Sequence, residues 1–432
     1  MKNVFIKSLW MLCCVLCFIS CKDDDDVKRE EYDPNKPVLL TSFSPDSGRI
    51  AEKILLDGEN FGADPQKIKV YFNNKKAPVI SSTGKRVYAI VPKMPGDTCT
   101  VSVVIGNDSL SYEQKFRYQI SVSVSTVTGN GTATYKEGSL AEATLSPTYV
   151  CVDNEDNIFV SVRQNPYGIV KVSETENYVT TLIMGTGSVI IPNALCVDKH
   201  TEIITVPSEH SLTGFFTCDP KEAWAPRGRS FRIVETNGYP IPTNTWKHSM
   251  AACEYDGYVY TRFWEGQIIK INPKTYDAEI IYQTPNGTSS GLTFHSLQPK
   301  MLYFTGYSGG IANGLYSFDI TDPGNTFKRL TASGSGHRDG ELAISLLNYP
   351  WQIYFDPDGN LYIADCNNHC IRRVTTDNMM ETVVGMPGTS GWKDGGKEEA
   401  LFNQPRGVGV SNDGTVYVAD WGNNRIRKLA IE

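Results

Sequence analysis

The sequence has little histidine, no excess of basic charge and no long apolar run beyond its N-terminus. Only six of its 432 residues are His, which argues against a His-rich metal centre. The formal net charge is -7, so the chain lacks the basic surface with which nucleic-acid-binding proteins meet phosphate. After residue 21, no segment is long and apolar enough to span a membrane. We therefore expect no nucleic-acid partner.

The motifs of several familiar catalytic sites are also missing. The chain contains no G-x-S-x-G nucleophile elbow and no H-E-x-x-H zinc motif. We therefore expect no metal and no cofactor, and we favour a non-catalytic role while leaving an enzyme open as an alternative.

The composition favours strands and turns. The chain is 40% apolar and 21% charged, which is typical of a soluble globular protein with a sizeable core. Its 37 Gly, 23 Pro and 22 Tyr indicate turns and strands rather than helices. A length of 432 residues predicts two or more folding units.

Residues 1–21 have the pattern of an export signal. Lys2 and Lys7 precede an apolar run over residues 9–19, and Ser20 stands directly before Cys21. This segment resembles a bacterial lipoprotein signal, although Phe18 stands where Leu is commoner. The resemblance implies a signal peptide over residues 1–20 and lipidation of Cys21. The alternative is an ordinary secretory signal or a short anchor.

Four consecutive Asp residues, 23–26, follow the cysteine and must be solvated, so residues 21–35 are predicted to form a flexible acidic tether. The acidic run resembles the export signal of some Gram-negative lipoproteins. The resemblance implies a protein anchored by lipid in the outer membrane and facing the cell exterior.

Seven cysteines remain beyond the signal, and an odd number argues against a disulfide framework. Cys366 and Cys370 flank His369, but these three groups are one ligand short of a usual zinc site. A local disulfide or two free thiols are the alternatives that we prefer.

Residues 36–120 alternate apolar and polar positions, with turn residues every 8–12 positions, as in a small antiparallel β-sandwich. The segments SPDSG (44–48), LDGENFG (56–62), VYFN (70–73) and IVP (90–92) resemble an IPT/TIG domain, an immunoglobulin-like module. Family resemblance implies a spacer or docking role for this domain.

From residue 121 onward the chain repeats itself. Each copy has an apolar strand, a turn, a second strand, an Asn-rich turn and a third strand. We count six copies, at residues 146–172, 190–234, 250–271, 291–318, 348–374 and 403–429. The two C-terminal copies resemble NHL repeats, in which each repeat is one blade of a β-propeller. The fold class predicted for the chain is thus all-β, with an IPT/TIG sandwich followed by a six-bladed, NHL-type propeller over 121–432.

The last copy has only three strands before the chain ends, while the strand at 121–128 has no copy of its own. We therefore expect strand 121–128 to complete the last blade. Closing the ring in this way removes exposed sheet edges.

Aligned copies place two sets of residues toward the predicted channel, at the start of the inner strand and just after the second strand. Aromatic rings stack on the apolar faces of sugars, and Arg donates charge-assisted hydrogen bonds to their oxygens. The candidates for ligand binding are Arg163, His248, Arg262, Trp264, Tyr307, Trp351, Arg406 and Trp421. Four further residues of the repeat consensus are interpreted as structural: Asp365, Asp420, Asn424 and Arg427.

Glycine-rich loops at 129–131, 334–340 and 388–395 precede inner strands, but none leads into a helix or a Gly-Lys-Ser/Thr motif. We interpret them as hairpin connections rather than phosphate-binding loops. His337 and Trp392 on these loops are candidates for contact with a partner.

The combination of signal, spacer and propeller resembles the accessory binding proteins of outer-membrane polysaccharide uptake systems. It implies a glycan or small nutrient as ligand and outer-membrane uptake components as partners. The alternatives are a propeller hydrolase or lyase acting on a glycan, and a protein-docking scaffold. A pocket with two carboxylates, or with His and Arg of perturbed pKa, would favour the enzyme.

Overall fold

The computed structural model describes residues 30–94, 98–185 and 190–431. The predicted signal peptide, Cys21 and residues 21–29 of the predicted tether lie outside these ranges. The described residues divide into two compact units, the first comprising residues 30–92 and 98–117 and the second comprising residues 93–94, 118–185 and 190–431.

The first unit is a β-sandwich of two antiparallel sheets. One sheet contains, in spatial order, strands Leu39–Ser44, Lys53–Glu59, Arg86–Ile90 and Val79–Ser82. The other contains Ser47–Gly48, Asp108–Tyr118, Thr98–Ile105, Ile68–Phe72 and Lys75–Ala77.

Period-2 alternation builds the sandwich core. In strand Thr98–Ile105, every second residue is buried, because successive side chains of a strand point to opposite faces of the sheet. Phe116 packs edge-on against Phe72, with ring centres 5.1 Å apart, and also contacts Phe43 of the facing sheet. The inward face of each sheet therefore supplies the core, as the sequence pattern predicts.

The described residues of the second unit form six sheets, numbered here by their order along the chain. Within each sheet the strands are given from the innermost outward. Sheet 1 contains Pro147–Val152, Ile158–Val162, Tyr167–Ser173, Tyr178–Gly185 and Gly138–Ser139. Sheet 2 contains Cys196–Val197, Ile204–Pro207, Gly214–Cys218 and Pro226–Ser230. Sheet 3 contains Lys247–Ala252, Val259–Phe263, Gln267–Ile271, Asp277–Gln283 and Arg232–Glu235.

The remaining three sheets have the same order. Sheet 4 contains Gly291–His295, Gln298–Gly306, Gly314–Asp319 and Lys328–Arg329. Sheet 5 contains Pro350–Phe355, Leu361–Asp365, Cys370–Val374, Met379–Val384 and Gly340–Glu341. Sheet 6 contains Pro405–Val410, Val416–Asp420, Arg425–Ile431, Val122–Thr128 and Gly395–Gly396.

The six innermost strands contact one another in cyclic order, from sheet 1 through sheet 6 and back to sheet 1. This is the arrangement of a β-propeller, in which each sheet packs face to face on its two neighbours. All six residues of strand Pro147–Val152 are buried because both faces of the strand are covered. The core of the unit therefore lies between adjacent sheets.

Sheet 6 contains strands from both ends of the propeller. Strand Val122–Thr128 pairs antiparallel with Arg425–Ile431, and Val122 lies opposite Ile431. Sheets 6 and 1 also approach each other closely at Gly407, where an added Cβ would lie 2.9 Å from the Cα of Tyr149. A glycine at this position lets the two inner strands come together.

Helices are short and few among the described residues. They are one α-helical turn, Pro323–Thr326, and the 3-10 turns Pro65–Lys67, Pro220–Glu222, Gly309–Ile311, Leu342–Ile344, Cys366–Asn368 and Trp421–Asn423. Within the described ranges, no helix has the length and apolar character needed to cross a membrane.

Candidate functional site

One end of the propeller collects the residues at the start of each inner strand and just after each second strand. The two strands run antiparallel, so Pro350 pairs with Asp365 in sheet 5 and Pro405 with Asp420 in sheet 6. Because the inner strands form a ring, these positions gather around the central channel. We call this end the channel face.

On the channel face, side chains from sheets 4, 5 and 6 form a continuous stack. The guanidinium carbon of Arg406 lies 3.3 Å from the ring centre of Trp421 and 4.3 Å from that of Trp351. Trp351 in turn stacks on Tyr307, with ring centres 5.1 Å apart and an interplanar angle of 3°. The structure thus brings four of the predicted candidates together, and we call this set the aromatic–arginine stack.

Two further tyrosines extend the stack. Tyr349 contacts the ring of Tyr307 at 4.5 Å, and the fully buried Tyr149 stacks on Trp351 at 5.6 Å. The Tyr149 hydroxyl is 3.0 Å from the Ser290 Oγ, and burial raises the pKa of Tyr149, so this phenol is neutral at pH 7. Tyr149 and Tyr349 were not among the sequence candidates, although both lie within two residues of the start of an inner strand.

A second group of side chains, the Glu209 cluster, joins sheets 1, 2 and 3. Glu209 Oε1 accepts hydrogen bonds from Asn193 Nδ2 at 2.8 Å and from Arg163 Nη2 at 3.1 Å, and it lies 3.2 Å from His248 Nε2. Two predicted candidates, Arg163 and His248, therefore share one carboxylate. Sequence reasoning missed Glu209, which lies two residues beyond the second strand of sheet 2, in the degenerate repeat; Arg163 directly follows the second strand of sheet 1.

Burial determines the protonation of the bases in this region. The pKa of His248 is lowered to about 4, chiefly by burial and also by the cations Arg163, Arg262 and Lys247, while Glu209 opposes the shift. His248 is therefore neutral at pH 7, with its Nε2–H available to donate to Glu209. Burial also lowers the pKa of Lys247 to about 7, while Glu209 opposes this shift.

The structure does not bring Arg262 to the channel face as a free donor. Arg262 is 1% exposed, and its guanidinium donates to Thr284 Oγ1 at 3.0 Å, Gly287 O at 2.7 Å and Pro285 O at 2.5 Å. These bonds use the side chain to hold the 284–287 segment of sheet 3. Arg262 lies near the end of strand Val259–Phe263, but its donors are already used by bonds within the protein.

Trp264 belongs to a separate aromatic pair at the same end of sheet 3. Its ring packs edge-on against Trp246, with ring centres 6.0 Å apart, and Trp246 is 49% exposed. Trp246 stands directly before an inner strand, so the spacing that selected the other candidates applies to it as well. The pair offers a second aromatic surface to a ligand on the channel face.

The consensus carboxylates Asp365 and Asp420 are bound within their own sheets. Asp420 Oδ2 accepts from Arg427 Nη1 and from Asn423 Nδ2, both at 2.8 Å, while its Oδ1 accepts from the Asn403 N–H at 2.9 Å. Asp365 makes the same three kinds of bond in sheet 5. Asn424 has a positive φ of 52° and donates to Gly131 O. All four consensus residues interpreted as structural are engaged within the propeller.

The glycine-rich loops are likewise bound to the sheets. Asp394 of the 388–395 loop accepts from Arg427 Nη2 at 2.6 Å, and Asp339 accepts from Arg372 in the same way. Arg425 lies over the Trp392 ring at 4.0 Å, and His337 Nε2 is 2.7 Å from Thr382 Oγ1. The 334–340 and 388–395 loops are thus connections that are hydrogen-bonded to sheets 5 and 6.

The other end of the channel contains a cavity of about 330 Å³. Lys199 and Tyr354 line it together with the far ends of the inner strands, and the Lys199 ammonium lies 6.0 Å from the Tyr354 ring centre. None of the predicted candidates lines this cavity.

The seven cysteines of the described ranges are buried, and Cys366 and Cys370 are free thiols. Burial raises the pKa of Cys366 to about 12, so this thiol is protonated at pH 7. Within the same ranges no group of three or more His, Cys, Asp or Glu side chains is arranged to hold a metal ion.

These features define an all-β protein with a sandwich unit and a propeller unit. The family model of the IPT/TIG domain matches residues 37–118, and that of the NHL repeat matches residues 347–374 and 402–429. Both matches confirm the resemblances found in the sequence.

Two solved structures and one curated protein illustrate what the chain is similar to. A protein of unknown function from Bacteroides thetaiotaomicron is 22% identical, with a TM-score of 0.76, and the match covers 93% of this chain and 100% of that one. An auxiliary nutrient binding protein from the same organism is also 22% identical, with a TM-score of 0.60 over 93% of this chain and 99% of that one. At this identity the likeness shows a shared fold.

NHL repeat-containing protein 2 of Gallus gallus is 39% identical over 92 residues, which are 21% of this chain and 12% of that protein. The chain spans about a tenth of the length of the curated relatives that it matches.

Proposed function

We propose that the channel face binds a glycan or another small nutrient ligand without catalysing a reaction. The observation that carries this proposal is the aromatic–arginine stack, in which side chains from three sheets meet around the channel. Tyr307, Arg406 and Trp421 are each partly exposed, so their ring edges and donors are within reach of a ligand.

The chemistry of the stack suits a sugar. The C–H faces of a pyranose pack on indole and phenol rings, and its hydroxyls take hydrogen bonds from charged donors. Sites for small ligands usually combine apolar and aromatic walls with a few convergent polar groups. The Glu209 cluster supplies such polar groups beside the rings.

The cellular role that we propose is accessory to uptake at the outer membrane. Support comes from the lipoprotein-like signal and from the fold shared with an auxiliary nutrient binding protein. In this proposal Cys21 carries the lipid anchor, the IPT/TIG domain acts as a spacer, and the propeller faces the cell exterior. Incorporation of labelled palmitate into the full-length chain, lost in the Cys21→Ala variant, is the expected result; labelling of the variant would contradict the anchor.

A propeller enzyme acting on a glycan is the second candidate, and one observation favours it. His248 and Arg163 meet at Glu209, and the pKa of His248 is lowered to about 4. Against catalysis, Glu209 is the one carboxylate of the cluster, and three donors already occupy its Oε1. A neutral histidine of such low pKa is also a weak base at pH 7.

The test is a calorimetric screen of the full-length protein against plant and host glycans, with analysis of the products in the same samples. We expect at least one glycan to bind and all glycans to remain uncleaved. Trp421→Ala should then lower the affinity about tenfold, since it removes one end of the aromatic–arginine stack. Cleaved products would favour the enzyme instead.

Trp392→Ala is the matched control, because Trp392 is 51% exposed and stacks on Arg425, outside the aromatic–arginine stack. Its affinity should equal that of the parent protein. Trp264→Ala measures whether the second aromatic pair belongs to the site. If Trp421→Ala binds as the parent does, with an unchanged melting temperature, the assignment of the stack is wrong.

A further inference from the structure

Arg406 carries a positive charge that no carboxylate neutralises in the part of the chain that the structure describes. No Asp or Glu of these residues forms an ion pair with it, and the groups that act on its charge are the Cys366 thiol and the hydroxyls of Tyr149 and Tyr307. All three are neutral at pH 7, since burial raises the pKa of each. Burial also lowers the pKa of Arg406 itself.

The acids nearest to Arg406 along the chain and around the channel are already paired. Asp420, directly before Trp421, is bound to Arg427, and Asp365, directly before Cys366, is bound to Arg372. Glu209 is bound to Arg163. None of these three carboxylates is therefore available as a partner for Arg406.

Two buried arginines of the repeat consensus differ from Arg406 in this respect. Arg427 has Asp420 at 2.8 Å and Asp394 at 2.6 Å, while Arg372 has Asp365 at 2.9 Å and Asp339 at 2.6 Å. In contrast, no carboxylate of the described residues forms an ion pair with Arg406. Its buried Nε also lacks a hydrogen-bond partner among these residues, a feature that it shares with Arg372. An unpaired, partly buried charge lowers the stability of a protein and is typical of a functional position.

The two indoles also decide which part of Arg406 a ligand can reach. The guanidinium carbon lies 3.3 Å and 4.3 Å from the two ring centres. Stacking of this kind uses the face of a guanidinium and leaves the donors on its edge for hydrogen bonding. The edge of a guanidinium is a planar fork that matches the two oxygens of a carboxylate. A sugar that contacts the exposed edge of Tyr307 would bring a carboxylate substituent close to this fork.

We propose that the ligand of the channel face is an acidic glycan whose uronate carboxylate binds the edge of Arg406. This inference rests on the proposed function and specifies its ligand class. The carboxylate supplies the counter-charge that the protein lacks at this position, and the indoles hold the guanidinium in place for it.

The experiment measures affinity for matched glycans by calorimetry with the full-length protein. The probes are oligomers of galacturonate, glucuronate and mannuronate, each beside its carboxyl-reduced neutral form, and a dextran sulfate oligomer. We expect at least one uronate oligomer to bind and its reduced form to bind about 10- to 100-fold more weakly, as for the loss of a hydrogen bond to a charged group. Arg406→Met should cause a loss of the same size, and Arg406→Lys an intermediate one.

Arg425→Met is the control, because Arg425 also stacks on an indole, that of Trp392, but lies outside the aromatic–arginine stack. It should bind as the parent does. Unfolding of each variant by heat verifies that the fold is intact.

The possible results separate the two proposals. If reduced glycans bind as tightly as uronates, or if Arg406→Met binds as the parent does, the inference is wrong while the proposed function stands. Binding of dextran sulfate without any uronate would overturn the carboxylate as ligand group. If no glycan binds in either form, both the inference and the proposed function fail.

Discussion

The last two sheets of the propeller and two of the earlier sheets, sheets 1 and 3, fill the same interior position with different kinds of side chain. In sheet 6 the position holds the buried pair Asp420 and Arg427, and sheet 5 holds Asp365 and Arg372. The strand pairing places Val162 and Val170 at the equivalent points of sheet 1.

Sheet 3 likewise has Phe263 and Ile269 in place of the ionic pair, and all four apolar side chains are buried. The fold thus accepts either an ion pair or an apolar pair at one position. The buried ion pairs of the repeat consensus therefore have a structural role within their sheets, and they do not indicate a ligand site. The charge that does suggest a ligand is that of Arg406, which has no carboxylate partner among the described residues and belongs to the aromatic–arginine stack.

Breaking one ion pair gives the largest expected effect. Asp420→Ala leaves Arg427 buried with one carboxylate fewer, and we expect the free energy of unfolding to fall by about 3–5 kcal/mol. Denaturant-induced unfolding measures the change. The double variant Asp420→Val with Arg427→Val reproduces the pair of sheet 1 and should recover part of the loss. If the double variant is less stable than Asp420→Ala, the ion pair of sheet 6 cannot be replaced by the apolar pair of sheet 1.

The Glu209 cluster, which connects sheets 1 to 3, predicts a pH dependence that the ion pairs of the last sheets do not share. The pKa of His248 is lowered to about 4 in the folded protein, below the usual 6.5. Its contribution to stability is then fully present above pH 6.5 and is lost as the pH falls toward 4. We expect this contribution to amount to about 3 kcal/mol.

The measurement compares unfolding free energies at pH 7 and pH 4 for the parent and for His248→Gln. The variant should lose less stability on acidification, because Gln does not titrate. His210→Gln is the matched control, since His210 is exposed in the same region, and its pH dependence should equal that of the parent. An identical pH dependence in all three proteins would contradict the lowered pKa of His248.

The smallest effect is expected for an exposed ion pair near sheet 6. Lys393 Nζ lies 3.4 Å from Glu399 Oε1, and the two side chains are 54% and 60% exposed. Water screens this pair, so Lys393→Ala should change the free energy of unfolding by less than about 1 kcal/mol. If Lys393→Ala lowered the free energy of unfolding as much as Asp420→Ala, buried and exposed ion pairs would not differ in their contribution to stability.

More of the fold than of the candidate site could be predicted from the sequence. Strand spacing and turn residues located the sandwich and the repeats, because these signals are local. Strand 121–128 could be identified from a count of strands per repeat, and its observed partner is Arg425–Ile431.

The site depends on distances between side chains of different sheets. Arg163, Glu209 and His248 lie far apart along the chain. No local sequence pattern predicts that Arg163 and His248 both contact the carboxylate of Glu209. The position of Arg262 near a strand end suggested a ligand role, yet its donors turn to backbone oxygens of its own sheet. Tyr307 and Trp351 could be selected because aromatic residues interrupt the repeat there. Arg406 and Trp421 could be selected because they occupy the same aligned positions, which the ring of sheets brings together.

The pairing of Val122–Thr128 with Arg425–Ile431 also has a consequence for biosynthesis. A ribosome makes the first of these strands roughly 300 residues before the second, a delay on the order of tens of seconds at common rates of translation. During that time the early strand has an open edge, and sheet 6 lacks its largest part. A nascent chain interrupted shortly before its end would therefore carry five nearly complete sheets and an unclosed gap, a form that quality-control proteases would recognise.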